Sequence, residues 1–252
     1  MEIVPIIEQT KMIFRDIISK HELSGEKVRV TVGTLTPRQA IGTPERPDYA
    51  LLQGREVMIE AQFKDSFGQA FTSQPQTFNG VVTDVLNLGL ESSDSRAIFI
   101  ATFNAVAAHL GLVSGVRHCR NEEPELCGSE IAQQMLQRYC RIRIGVVGYQ
   151  PAILDHLVRQ FGANNVMCSD LDVRNIGSTK FGITIRDGKT DNADIVRWCD
   201  LLLVTSSTVV NNTFDELRAA VVAQGKHLTV FGVTGAGISA LLGIERICLR
   251  AH

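Results

Sequence analysis

The chain is 252 residues long, 44% apolar and 21% charged, with 21 glycines and a formal net charge of −2. Such a composition can bury a real core and excludes a disordered or low-complexity protein. The basic residues do not cluster, so no nucleic-acid partner is expected, and no apolar run approaches the roughly 18 to 20 residues that a membrane span needs.

The opening stretch MEIVPIIEQTKMIF sets acidic Glu2 and Glu8 among its apolar residues and lacks the basic start of a secretory signal. Cys119, Cys127, Cys140, Cys168, Cys199 and Cys248 all lie in the second half without the dense spacing of a disulfide framework. A cytoplasmic protein with reduced thiols is therefore expected.

Residues 3–20 place Ile3, Ile6, Ile7, Met12, Phe14, Ile17 and Ile18 near helical period, which predicts one amphipathic helix with Pro5 in its first turn. Alternation of Val28, Val30 and Val32 over residues 27–32, and of Val57, Ile59, Ala61 and Phe63 over residues 56–63, predicts strands of a half-buried sheet. A turn-rich loop over residues 43–47 lies between them. Residues 65–75, DSFGQAFTSQP, read equally as a hairpin or as a polar turn facing a crevice. Helices follow over residues 81–88 and 95–110, the second opened by Ser92, Ser93 and Asp94 as candidate caps. Within it, Asn104 has Ile100, Ala101, Ala107 and Ala108 as helical neighbours, so its amide points into an apolar face and needs partners from a neighbouring loop or a ligand.

After Cys119 the pattern changes. Helices are predicted over residues 131–139, 152–161 and 214–223, and strands over residues 141–147, 165–169, 201–204 and 227–231, with a last short strand over 247–249. Strands alternating with helices imply a doubly wound parallel sheet. The chain is thus expected to be α/β, a small first domain over residues 1–112 and a second over 113–252.

In such a sheet the ligand crevice forms beyond the carboxyl ends of the strands, where three loops should converge. The first, GVVGYQP, brings Gly148 and Tyr149, with Pro151 opening the next helix. It lacks the glycine spacing of a dinucleotide fingerprint, and Asp170, 22 residues beyond Gly148, reads as a turn residue as readily as a ribose ligand. The second, TSSTVVNNT, offers Thr205, Ser206, Ser207, Thr208, Asn211, Asn212 and Thr213, side chains that can grip an anion beside a helix start. Alternatively, Thr213 and Glu216 form a capping box and the rest satisfy loop backbone. The third, GVTGAGIS, adds Thr234 and Gly235.

HCRNEEPELC, residues 118–127, holds His118, Cys119 and Cys127. Seven residues separate the cysteines, which is not the spacing of a structural zinc site, though the three can join a soft-metal cluster once folding adds a ligand. Glu122, Glu123 and Glu125 around Pro124 suit the first turn of a helix. The loops GYQP, TSSTVVNNT and FGVTGAGISALLGIERIC, with GQAFT and HCRNEEPELC, resemble those of the family described as "putative heavy-metal chelation", whose function is unknown. That resemblance covers most of the chain. It implies an enolase N-terminal-like domain joined to a Rossmann-like domain, a site in the cleft between them, and a metal ion or metal chelate as the bound group. It assigns no catalytic residue.

Three functions fit: binding or processing of a small anionic or metal-chelating ligand in the cleft, a metal-independent enzyme gripping a carboxylate or phosphate, and a non-catalytic interaction protein. No Ser/His/Asp order, phosphate loop, HExxH or SxxK motif names a reaction.

Overall fold

The computed structural model describes residues 4–32, 41–52 and 57–252. Ile3 of the predicted first helix and Glu56 of the predicted strand over 56–63 lie outside the described residues. The first helix, α1, spans Ile6–Lys20 and buries Ile6, Ile7, Thr10, Phe14 and Ile18. Pro5 stands just before it as an extended cap rather than in the first turn. Its carbonyl accepts the Glu8 and Gln9 amides, a position where a missing N–H costs nothing. Met12, expected on the apolar stripe, falls on the solvent face and is 59% exposed.

Strands β1 (Lys27–Val32), β2 (Val57–Phe63), β3 (Ser66–Thr72) and β4 (Phe78–Val81) form an antiparallel sheet in the order β3-β2-β1-β4. The 65–75 stretch supplies the second strand of a hairpin: β2 and β3 pair with Phe63 opposite Ser66, and Lys64 takes a left-handed φ of 50° in the two-residue turn. After the short helix α2 (Val82–Leu86) comes α3 (Ser93–His109). The Ser92 hydroxyl caps α3 by accepting the Ser95 amide, so the helix starts two residues earlier than predicted. Every residue of α3 from Ser95 to Ala107 is buried. A helix that is apolar all round belongs inside a protein, and α3 lies between the first sheet and the elements of the second.

The second half contributes α4 (Glu123–Tyr139), β5 (Ile144–Val147), α5 (Pro151–Phe161), β6 (Val166–Asp170), β7 (Thr179–Lys180), β8 (Ile183–Asp187), α6 (Asn192–Trp198), β9 (Leu201–Thr205), α7 (Ser207–Val210), α8 (Phe214–Ala223), β10 (His227–Phe231) and α9 (Ala236–Leu242). The sheet order is β10-β9-β5-β6-β8-β7, parallel except for β7. The α/β class is as the sequence implies. Strands β4, β7 and β8 and helices α6, α7 and α9 were not predicted. The expected strand at 247–249 is instead a single parallel bridge from Val230 to Arg246.

Side chains alternate across the parallel sheet. Ile144, Val146, Leu201, Leu203 and Cys168 pack under α4 and α5 against Ile131, Met135, Ile153 and Leu157. Leu202, Val204 and Val230 face the other way, in a core continuous with Phe14, Phe99 and Phe103 of α1 and α3. Those three rings meet edge-on around Phe14, at 5.7 Å and 5.4 Å. That face of the parallel sheet is covered by Ile195 and Val196 of α6 and Phe214, Leu217 and Val221 of α8, and the same core runs on into the first half of the chain. The connector after α3 is tied to the chain's last residue, since Arg117 and His252 exchange backbone hydrogen bonds of 2.7 and 2.9 Å.

Candidate functional site

Strand order reverses at β5: β6 and β8 lie on one side, β9 and β10 on the other. The loops after β5, β9 and β10 meet at that point and line one cleft of about 440 Å³, a volume that suits a small molecule. Close approach of the loops depends on glycine. Gly148 has φ +95°, and a Cβ there would lie 2.5 Å from Thr205 Cγ2; Gly232 has φ +100°, and a Cβ would lie 2.7 Å from Ser206 Oγ.

Beyond Gly148, Pro151 opens α5 and the Gln150 side chain accepts the Ile153 amide at 2.6 Å. Asp170 ends β6 and lines the cleft. Its carboxylate accepts the Tyr149 amide at 2.8 Å, the Asp172 amide at 2.7 Å and the Asn175 side-chain amide at 3.3 Å, which fixes the first loop against the end of β6.

The polar loop after β9 folds back on itself. Thr208 Oγ1 donates to the Thr205 carbonyl at 2.6 Å, the Ser206 amide bonds the Phe231 carbonyl at 2.8 Å, and residues 207–210 close the short helix α7. Thr213 makes no side-chain cap bond to α8, so the capping box proposed for Thr213 and Glu216 does not form. Thr205, Ser206, Ser207, Thr208, Asn211 and Thr213 line the cleft. Asn212 does not: it is exposed, with φ 59°, and serves as the left-handed turn after α7.

Three other predicted residues also lie off the cleft wall. Asn104, fully buried, donates to the carbonyls of Gln69 (3.1 Å), Val233 (3.2 Å) and Thr234 (3.2 Å) and accepts the Gly237 amide at 2.9 Å. Its amide staples β3 to the loop after β10. Thr234 accepts the Phe71 amide at 3.0 Å, a second staple across the same junction. Gly235 packs against Ser206 Cβ, 2.8 Å from where its own Cβ would stand.

HCRNEEPELC is a connector that becomes a helix start. Helix α4 begins at Glu123, eight residues before the predicted 131, with Pro124 in its first turn and Glu123 and Glu125 at its positive end. His118, Cys119 and Cys127 all reach the cleft wall. They do not form a ready metal cage: among the described residues, no three His, Cys, Asp or Glu side chains are arranged to hold an ion. His118 Nδ1 bonds the Cys119 carbonyl at 2.5 Å, its ring meets Phe71 edge-on, and burial lowers its basicity. Burial likewise raises the Cys119 thiol.

The sequence reading missed Cys248. This residue joins the same wall beside Cys127, brought there by the tail after α9. Cys127 is the first influence on the acidity of the Cys248 thiol, and Arg246 and the Gly232 backbone act in the same direction. Together these influences outweigh burial and make the first proton of the pair easier to lose than that of an ordinary thiol; the second is held more tightly. No local pattern marks Cys248, because 121 residues separate it from its partner.

Residues 41–52 cover the cleft from the side of α4 and α5. Arg46 is ion-paired with Glu125 and with Asp155, the latter at 2.6 Å, and lies over the Phe181 ring. Tyr49 donates to Glu125 at 2.9 Å and Tyr149 to Asp48 at 2.9 Å. Burial, reinforced by these carboxylates, raises both phenols well above their usual range. Ile41, Tyr49 and Leu51 add apolar surface to the cleft lining.

Residues 131–243 match the model of the DUF364 family, described as "Putative heavy-metal chelation". Two crystal structures of DUF364 proteins of unknown function have a similar fold. The one from Pyrococcus horikoshii is 13% identical, with a TM-score of 0.53 over 91% of this chain and 80% of that one. The one from Desulfitobacterium hafniense is also 13% identical, with a TM-score of 0.54 over 94% and 84%. At such identity the likeness is one of fold alone. No match is found among curated proteins. In sequence over residues 131–243, and in fold over most of its length, the chain is thus similar to the DUF364 family.

Proposed function

We propose that the cleft binds a small metal-chelating ligand, and takes it as the metal complex rather than as the free polyanion. The observation that carries this reading is the charge of the polar wall. Thr205, Ser206, Ser207, Thr208 and Asn211 bring neutral hydroxyl and amide groups to the lining, beside apolar Ile41, Tyr49, Leu51 and Phe71. Arg174, the one guanidinium or ammonium group among the described lining residues, is paired through Nε and Nη2 with Asp172, both at 3.0 Å. Burying a multiply charged carboxylate without cationic partners is costly, whereas a bound metal neutralises much of that charge within the ligand. Hydroxyls and amides then suffice to orient it. A hard cation bound by the protein alone fits poorly, because Asp170 is held by backbone amides. Heavy metal would be cargo, and the soft donors in the wall are cysteines.

Calorimetric titration with citrate and with ferric citrate, against inorganic phosphate, tests the reading. It expects heat of binding with ferric citrate and little with the other two. Tighter binding of phosphate or of metal-free citrate would contradict it.

A further inference from the structure

We infer that the arm of the cleft at the ends of β6 and β8 holds a purine ribonucleoside, with Asp170 accepting a ribose hydroxyl and Leu171, Gly188 and Asn192 receiving the base. The topology points there first. Numbered along the chain, the parallel strands β5, β6, β8, β9 and β10 stand side by side in the order 3-2-1-4-5. In sheets of that order a carboxylate about 20 residues past the first strand's turn accepts the ribose 2′-hydroxyl of a bound nucleotide. Asp170 is the last residue of the second strand, lies 22 residues beyond Gly148 and lines the cleft.

Its carboxylate is held in place without being used up. Oδ2 accepts the Tyr149 amide and the Asn175 side-chain amide, whereas Oδ1 accepts the Asp172 amide alone. A carboxylate offers about four acceptor positions, so one remains on Oδ1. A neutral hydroxyl suits it, because three N–H donors already offset much of the negative charge.

Beside the carboxylate lies a surface for a flat ring. The Gly188 amide donates to the Asp170 carbonyl at 2.9 Å and draws the loop after β8 onto β6. A Cβ at Gly188 would lie 3.1 Å from that carbonyl oxygen and 3.3 Å from Leu171 Cδ2, so only glycine leaves the leucine against bare backbone. Leu171 lines the cleft and is 39% exposed, an apolar side chain open to a partner. Asn192 lines the same arm; its Oδ1 accepts the Ser169 hydroxyl at 2.6 Å, and its NH2 group has no partner among the described residues. Such a group donates to a ring nitrogen of a purine. The first loop lacks the glycines that let a pyrophosphate approach, which favours a nucleoside over a dinucleotide.

The inference goes beyond the metal-chelate reading. It uses other residues of the cleft and probes without metal, so the two fail independently. The full chain is titrated by calorimetry with adenosine, guanosine, their 2′-deoxy forms and NAD+. We expect one of the two ribonucleosides to bind at least about tenfold tighter than its 2′-deoxy form, the effect of losing a hydrogen bond to a charged group, and tighter than NAD+. Asn192→Ala should weaken both forms alike, and Asp170→Asn should erase the preference for ribose. No heat from either ribonucleoside at millimolar concentration, equal binding of the 2′-deoxy form, tighter binding of NAD+, or an Asn192→Ala or Asp170→Asn variant that binds as the parent does would overturn the site. Should Asp170→Asn misfold for want of its acceptor, the ribose against deoxyribose comparison on the parent decides alone.

Discussion

The two walls of the cleft are built differently. One comes from strand-end loops, Gly148–Gln150, Thr205–Asn211 and Gly232, each fixed by the strand before it and the helix after it. The other comes from residues 41–52, the connector at His118 and Cys119, the first turns of α4 and the tail at Cys248, brought together largely by side chains. In the first wall, backbone geometry places the polar groups; in the second, ion pairs and buried hydrogen bonds do. Function on the first wall should then respond to side-chain changes without loss of folding, whereas on the second, position and stability are coupled.

The largest effect should come from the staple behind both walls. Asn104→Leu leaves three carbonyls and the Gly237 amide without their partner, and unmet buried groups cost about 1 to 3 kcal/mol each. Urea unfolding should show a loss of at least about 3 kcal/mol by that reckoning. A loss below about 1 kcal/mol would mean that solvent replaces the amide.

Next is the close approach of the loops. Gly148→Ala combines a left-handed φ with a contact on Thr205, and should destabilise by more than about 1 kcal/mol while narrowing the cleft. An unchanged melting temperature would show that the first loop is free to move.

The second wall is sharpened by Arg46→Met, which breaks its pairs with Glu125 and Asp155. The side chain is partly exposed, so the expected cost is only about 1 kcal/mol. Limited proteolysis should nevertheless cut within residues 41–52 faster than in the parent. Equal cleavage would mean that packing, not the ion pairs, holds this segment.

The smallest effect is the acid response of Asp155. Burial raises its pKa, but hydrogen bonds from Arg46 and Arg159 prevail and hold it below the usual carboxylate range. Such a group stabilises the fold above the unfolded value of about 4 and loses that contribution as pH falls through its lower folded value. Asp155→Asn should therefore flatten the decline of stability below about pH 4. A decline as steep as the parent's would place the acid-sensitive group elsewhere.

The first wall was legible because strand, polar loop and helix follow one another within some ten residues. Gly148, Thr205 and Gly232 announce themselves by position, and so does the Pro124 turn through its flanking glutamates. Asn104 was legible as a buried amide, but its partners were not, since Gln69 and Gly237 are distant in sequence. Residues 171–200 escaped notice because β8 lies near the sheet edge with Thr184 exposed, so its apolar residues are too few to set a period. Asn211 and Asn212 looked equivalent as neighbours, yet one faces the cleft and the other makes the turn. Cys248, Arg46 and Tyr49 act through partners roughly 75 to 120 residues away, and spacing carries no trace of such contacts.

The central claim is that the first wall recognises a metal chelate. The most direct test is the ferric citrate thermal shift of the parent beside a Ser207→Val, Asn211→Leu variant. The account predicts equal melting temperatures without ligand, a rise for the parent on adding ferric citrate, and no rise for the variant. An equal rise in both proteins, or none in the parent, would contradict it.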